Sequence, residues 1–249
     1  MIELFGVIFM PWFFTENEID GRSTIIDGET AKHISKSLRM KPGEELTLVT
    51  PGGIQHQCRI SAAGESVAVE VLYSKPCDNE PGIELTLYQA LPKGDKMELI
   101  IQKSVELGVR RVVPVISARC VSRPDKKALE KKRVRWQKIA FEAAQQSRRG
   151  IVPEIGEAVS FSEAVRQSEE NDVSIIFYEL GGERVADILT GSPKKIGIFI
   201  GSEGGFEKTE VDRVLEVSGR AATLGKRILR AETAPLAAIS IIMYEAGEI

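Results

Sequence analysis

Ile196-Gly197-Ile198-Phe199-Ile200-Gly201-Ser202-Glu203-Gly204-Gly205, and after it Leu224-Gly225-Lys226-Arg227-Ile228-Leu229-Arg230-Ala231-Glu232-Thr233-Ala234, are the two stretches whose reading decides the fold. The first opens on an apolar run without polar alternation, the pattern of a strand buried on both faces of a parallel sheet. It ends in a glycine-containing loop, as does the shorter apolar segment before Gly225. In open parallel sheets, ligands bind where strand ends meet such loops, so a small-molecule site is predicted here. Gly201, Gly204 and Gly205 permit backbone conformations, or a close ligand approach, that other residues forbid. The spacing is neither that of a phosphate loop, since the Lys-Ser/Thr pair is missing, nor that of the dinucleotide fingerprint. Leu224, Ile228 and Leu229 are apolar in a loop that otherwise carries Lys226, Arg227 and Arg230. They either pack on the sheet rim or wall an adenine-sized pocket. Thr233 is placed to cap the last helix, with Pro235 in its tolerated first turn.

Working outward, strand and helix patterns alternate from residue 83 to the C-terminus. Strands are predicted at 84–91, 111–116, 173–178, 196–200 and 221–224, and helices at 95–107, 126–147, 161–169, 207–217 and 234–246. Asp95 and Glu98 have capping-box spacing, and Gly108 can close that helix. Met97, Ile100, Ile101 and Val105 share one helical face. Such alternation implies an α/β domain with a mostly parallel sheet covered on both faces. Residues 1–75 read differently, as a small β-rich domain. Its strands are predicted at 46–50, 54–60 and 67–73, with turns at Pro51-Gly52-Gly53 and Ala63-Gly64-Glu65 and one helix over 29–39. Residues 76–82, polar with two prolines, read as the linker.

The 249-residue chain is 43% hydrophobic, ordinary for a globular protein. No apolar run reaches the roughly 18 residues of a membrane span. The apolar first fourteen residues carry Glu3 and no basic charge, so they are not read as a signal peptide. Cys58, Cys77 and Cys120 are odd in number and far apart, which argues against a disulfide framework or a metal site and for a reduced, cytoplasmic setting. With only His33 and His56 present, a His-based triad is excluded, and His33 is read as structural. Net charge is −3, but residues 110–150 hold 13 Lys/Arg against 3 Asp/Glu, a local +10. A basic segment in an acidic chain is a footprint of polyanion binding, although a solvated basic helix gives the same count. The flanking Arg119, Arg123, Arg148 and Arg149 favour the polyanion.

The pair of C-terminal motifs, Gly201 to Phe206 with Glu210 and Leu224 to Ala234, resembles that of the RsmE family, 16S ribosomal RNA uridine-N3 methyltransferases of the SPOUT superfamily. Gln89-Ala90-Leu91-Pro92-Lys93 with Lys96, Glu98, Lys103 and Glu106-Leu107-Gly108 is similar to that family's first catalytic-domain strand and helix. Glu142 to Ser147 with Arg149 and Pro153 resembles its Gln-Ser-Arg segment, and His33 with Leu38-Arg39 and Gly43 its His–Leu-Arg element. The likeness spans about residues 10–246. Ser202 stands where the family usually has Pro, Ser37 where it has Val, and Trp12 where Arg is common. Residues 1–9 look like an extension.

The resemblance implies a trefoil-knotted SPOUT domain over 83–249, a PUA-like β-barrel over 1–75 that helps hold RNA, and a homodimer. It implies S-adenosylmethionine as cofactor and 16S rRNA or the small ribosomal subunit as partner, with neither metal nor membrane involved. Leu180, Gly201, Gly205, Leu224, Gly225, Ile228 and Leu229 are the expected cofactor pocket. Arg230 is expected to stabilise the uridine anion and Glu203 or Glu232 to receive its proton. A helix-terminal charge for Glu232 and a salt bridge for Arg230 are the structural alternatives. Arg39, Arg119, Arg123, Lys126, Lys127, Arg148 and Arg149, with Lys131, Lys132, Arg133 and Arg135, are the expected RNA contacts. Two other readings remain open: an RNA-binding module without chemistry, and a SPOUT enzyme acting on transfer RNA or a ribose hydroxyl.

Overall fold

A computed structural model describes residues 10–249 and the backbone of Glu3–Leu4 and Val7–Ile8. The chain divides into two compact units, Met1–Glu80 with Arg148–Ile151, and Pro81–Ser147 with Val152–Ile249. In the first unit β1 (Glu3–Leu4) and β2 (Val7–Ile8) form an antiparallel pair. The remainder of the expected extension over residues 1–9 lies outside the described residues.

The rest of this unit is one five-stranded sheet. It comprises β3 (Trp12–Phe14), β4 (Ser23–Ile26), β5 (Glu45–Val49), β6 (Ile54–Ala63) and β7 (Val67–Pro76), in the order β3-β5-β6-β7-β4. Register shifts at Gln57/Cys58 and Ile60/Ala62 are bulges between β6 and β7, which increase local twist. Phe13, Leu46, Leu48, Ile60 and Val67 point inward, joined by Ile34 from the helix. Helix α1 (Gly28–Lys32) widens into a π-helical turn over His33–Ser37 and ends before Arg39, whose φ is 54°. His33 meets the Phe13 ring edge-on at 6.0 Å, a packing role. β3 and β4 escape the sequence pattern because three or four residues carry no measurable periodicity.

Arg149 corrects an expectation. It is 3% exposed and grips Glu80 with two nitrogens, Nε at 2.9 Å and a terminal nitrogen at 2.6 Å. Gly150 N–H adds a third bond to that carboxylate at 2.7 Å, and Trp12 Nε1 donates to the Arg149 carbonyl at 3.0 Å. A buried guanidinium so paired is a structural staple and does not reach an outside phosphate. The 76–82 segment is therefore not wholly a free tether: Glu80 holds Arg149, and Asn79 donates to the Arg148 carbonyl at 2.6 Å.

The second unit contains β8 (Glu84–Ala90), α2 (Lys96–Glu106), β9 (Arg111–Ile116), α3 (Lys126–Gln146), β10 (Glu154–Ile155), β11 (Val159–Ser160) and α4 (Phe161–Ser168). Then follow β12 (Val173–Phe177), α5 (Val185–Ile188), β13 (Lys195–Ile200), α6 (Lys208–Glu216), β14 (Arg220–Ala222) and α7 (Thr233–Glu245). The sheet runs β10-β9-β8-β13-β12-β14, with β11 also on β9, and every pairing is parallel. The chain first steps outward from β8 to β9 and β10. It then returns to place β13 on the other side of β8, with β12 and β14 beyond. The α/β reading with a parallel sheet stands.

The central strands are dry, as their apolar runs require: Leu85, Leu87, Ile175, Ile198 and Phe199 are fully buried. Phe199 stacks on Tyr88 at 4.6 Å and touches Phe161, which in turn packs on Phe206. On α2 the predicted face is buried. Its predicted cap does not form: Asp95 makes no capping bond, and Glu98 instead pairs with Arg135 of α3 at 2.7 Å. Thr233 does not cap α7 either. It is the first helical residue, and Glu232 takes the capping position. No helix among the described residues is long and apolar enough to cross a membrane.

Phe199→Ala should destabilise this unit by about 3–5 kcal/mol, the usual cost of emptying a packed aromatic site. Urea unfolding curves check it.

Candidate active site

At the carboxyl ends of β12, β13 and β14 three loops enclose a cavity of about 280 Å³. Phe177 to Glu179 form one wall, Ile200 to Gly205 a second, and Thr223 to Leu229 with Ala231 and Ala234 a third. Gly201, Gly205, Leu224, Gly225, Ile228 and Leu229 all line it, whereas Leu180 does not. Leu180 is 79% exposed. The chain turns after Glu179, and Tyr178 and Glu179 are the residues of this segment that line the cavity.

The glycine loop is a tight reversal. Gly205 N–H donates to the Ser202 carbonyl at 3.0 Å. Gly205 has φ +65°, and a Cβ there would lie 2.8 Å from Glu179 Oε1. At Gly201 a Cβ would meet the Gly205 backbone at 2.9 Å. Ser202 is 8% exposed inside this turn, its hydroxyl without a partner. Glu179 sits against the loop as an exposed carboxylate, and no cation pairs with it among the described residues.

Three side chains brace the loop from neighbouring elements. Fully buried Gln89, at the end of β8, donates through Nε2 to the carbonyls of Ala90, Ile200 and Gly201 at 3.0, 3.4 and 3.3 Å. Arg119 donates to the Gly204 carbonyl at 3.1 Å. Glu210, 5% exposed, accepts from Ala118 N–H at 2.8 Å and Glu207 N–H at 3.0 Å, which fixes the loop carrying Arg119 and the start of α6. Arg123 belongs to the same bracing, donating to the carbonyls of Cys120 and Ala118. Arg119 and Arg123 are thus exposed, yet committed to loop carbonyls. Lys126 and Lys127, in the first turn of α3, are exposed, as is Arg39 in the first unit. Arg148 is half-buried at φ 58°.

The two expected proton acceptors meet at one cation. Lys96 Nζ lies 2.9 Å from Glu203 Oε1 and 3.1 Å from Glu232 Oε2. Glu203 also accepts from Lys93 N–H with both oxygens at 3.3 Å. Burial pushes the Glu203 carboxyl up, but the bonds from Lys96, from its own backbone N–H and from Lys93 outweigh it, and the net direction is down. Glu232 is also lowered, by its own backbone N–H and by Lys96, with Arg230 adding a weaker pull. Lys96 is raised by the same two carboxylates. Arg230 is exposed and lies outside the cavity lining, and its carbonyl accepts from Thr233 and Ala234 N–H at the start of α7. Sequence reading left Lys96, Gln89 and Glu179 without roles. The first two were visible only as motif letters, and Glu179 had no signal at all, because its neighbour Gly205 is 26 residues away. Among the described residues, no group of three His, Cys, Asp or Glu is arranged to hold a metal.

Residues 79–243 match the family model of an RNA methyltransferase domain, and residues 26–72 that of an RNA methyltransferase PUA domain. The chain is 36% identical to ribosomal RNA small subunit methyltransferase E of Bacillus subtilis, over 93% of this chain and 94% of that one. Among solved structures it is similar to a ribosomal RNA small subunit methyltransferase E from Neisseria gonorrhoeae bound to S-adenosyl methionine. That likeness has 34% identity, a TM-score of 0.84, and coverage of 94% and 97%. A putative methyltransferase from Legionella pneumophila, in complex with the same cofactor, superposes with a TM-score of 0.85 at 28% identity, again over 94% and 97%.

Gly205→Ala should cost at least about 1–2 kcal/mol from the left-handed backbone alone, with the clash against Glu179 added. A lowered Tm in calorimetry, larger than that of Gly225→Ala, checks this, because nothing lies within 4 Å of a Cβ at Gly225.

Proposed function

Because the chain belongs to the ribosomal RNA small subunit methyltransferase E family and is an RNA methyltransferase, we propose that it methylates N3 of a uridine in 16S ribosomal RNA, with S-adenosylmethionine as donor. The observation that carries this reading is the three-loop cavity at the carboxyl ends of β12, β13 and β14, which lies within the residues matched by the methyltransferase model.

The residues present fit that donor. Leu224, Ile228 and Leu229 supply apolar surface for a purine ring, and the loop backbones supply polar groups to read its edge. Glu179 brings an unpaired carboxylate, complementary to a cationic ligand that also carries hydroxyls. When bound, the cofactor provides an electrophilic methyl group on a positively charged sulfur. The chain's own task is alignment, and three loops braced by Gln89, Arg119 and Glu210 are suited to it. Uridine N3 holds a proton at neutral pH, so the anion formed on losing it needs a cation nearby. Arg230, exposed beside Glu232, is that cation. The target uridine must be unpaired or turned out of its stack to reach the cavity.

RNA phosphates are held by Lys126, Lys127 and Lys131, which project from α3 into solvent, and by Arg39 in the PUA unit. Arg119 and Arg123 contribute mainly by shaping the loop. The working unit is a homodimer: α7 is apolar nearly all round, yet Ile241 and Tyr244 are 38% and 69% exposed, a face suited to a second copy. The crossings of the 201–205 and 223–232 loops are read as the family's trefoil knot.

Mass mapping of small-subunit RNA should find one 3-methyluridine in cells with the gene and none in cells without it. Methylation at a ribose hydroxyl or in transfer RNA would point to the other SPOUT chemistry. Arg230→Ala should lower turnover with cofactor binding, measured by calorimetry, unchanged. Lys126→Ala and Lys127→Ala should each reduce the slope of log affinity against log salt by up to about 1.

A further inference from the structure

We propose that Glu232 is the group that takes the N3 proton of the target uridine, and that Lys96 is the positioning residue that fixes Glu232 by tying it to Glu203. The assignment rests on the reading of the site as a uridine N3 methyltransferase and goes beyond it by separating the roles of the two carboxylates.

Both carboxylates sit at one ammonium, but they are not equivalent. Glu203 is the more heavily bonded: Lys96 Nζ donates to it at 2.9 Å, and Lys93 N–H lies at 3.3 Å from each of its oxygens. It also lines the cavity. Those bonds hold the 201–205 loop to the start of α2, and protonating Glu203 would break them. Among the described residues Glu232 has Lys96 at 3.1 Å as its one ion-pair partner; the Oε2 atom involved is buried and makes no hydrogen bond, while the side chain as a whole is 29% exposed. It lies outside the cavity lining, whereas Ala231 and Ala234 on either side of it are part of that lining. A carboxylate that accepts a proton from an incoming base should stand at the rim beside the methyl donor, with lone pairs still free. Glu232 meets that requirement better than Glu203, which takes the Lys93 N–H in addition. Lys96 Nζ donates a hydrogen bond to Glu203 Oε1 and stands at ion-pair distance from Glu232 Oε2. The groups facing this cluster are Lys93 through its backbone, Lys96, and Arg230 beside Glu232.

In the step itself the N3–H bond breaks and the proton passes to a Glu232 oxygen. The electron pair left on N3 forms the bond to the methyl carbon, and the pair of the broken carbon–sulfur bond stays on sulfur, giving a neutral thioether. The Glu232 proton then passes to water. Activity therefore requires the carboxylate form. Lys96 lowers that group's pKa, so its removal moves the acid limb of the rate profile to higher pH.

The test uses the full-length protein. Carbon-13 labelled glutamate, followed by NMR without cofactor and with the Glu203 and Glu232 signals assigned by their loss in Glu203→Gln and Glu232→Gln, should show both of these carboxylates titrating below the ordinary range in wild type. Both should move up in Lys96→Met and return in Lys96→Arg. In single-turnover methylation, Glu232→Gln should lose about 100-fold or more in rate, the usual scale for a proton-transfer group, with cofactor affinity and melting temperature unchanged. Glu232→Asp should recover part of the rate. Glu203→Gln should mainly weaken cofactor binding. Lys96→Met should shift the acid limb upward. Wild-type rate in Glu232→Gln, or an unmoved titration in Lys96→Met, overturns the assignment. A wild-type protein that binds no cofactor and leaves N3 unmethylated removes the functional reading itself, and that result is distinct from either of these.

Discussion

The parallel hydrogen bonding of β13 between β8 and β12 is the constraint on which the rest depends. Side chains on both faces of β13 are buried, so its register is held by apolar packing as well as by the ladder. With that register set, Ile200, Phe177 and Ala222 end near one level, and the loops that follow have to share one space. The cavity is a consequence of strand ends in step, not of any single loop.

Sharing that space leaves backbone polar groups away from water, and each needs a partner. Gln89 answers for the carbonyls at the end of β13, Arg119 for Gly204 and Glu210 for Ala118. These long-range bonds restrict loops that glycine would otherwise leave loose. At Ser202 the backbone alone makes a restricting bond, since its buried hydroxyl has no partner among the described residues. Its carbonyl closes the turn by accepting from Gly205 N–H, and its side chain is buried inside that turn.

The basic segment is a lesson in how charge is spent. Residues 110–150 carry a local +10, but several of those cations are committed within the protein. Arg149 grips Glu80, Arg135 pairs with Glu98, Arg133 with Glu130, and Arg119 and Arg123 hold loop carbonyls. What remains for a polyanion is mostly lysine on the outer face of α3. Lysine suits a solvated phosphate as a mobile point charge, whereas arginine's rigid fork suits the fixed internal acceptors.

From sequence alone the α/β class, the five longer strands and five longer helices of the second unit and the family likeness were legible, whereas the two-residue strands Glu154–Ile155 and Val159–Ser160 and the four-residue helix Val185–Ile188 were not. They rest on local signals: unbroken apolar runs, helical spacing of Met97 to Val105, and glycines at strand ends. Short strands such as Trp12–Phe14 were not legible, because period-2 alternation needs more residues than they have. Caps failed for a related reason. Asp95 and Glu98 have capping-box spacing, but Arg135, 37 residues further on, competes for Glu98 with a full charge. Only tertiary structure could show that Arg149 is buried, that Leu180 turns outward while Glu179 turns in, and that Lys96 joins Glu203 to Glu232. Each depends on a partner distant in the chain, and Coulomb attraction and close packing act over ångströms of space, whatever the separation in sequence.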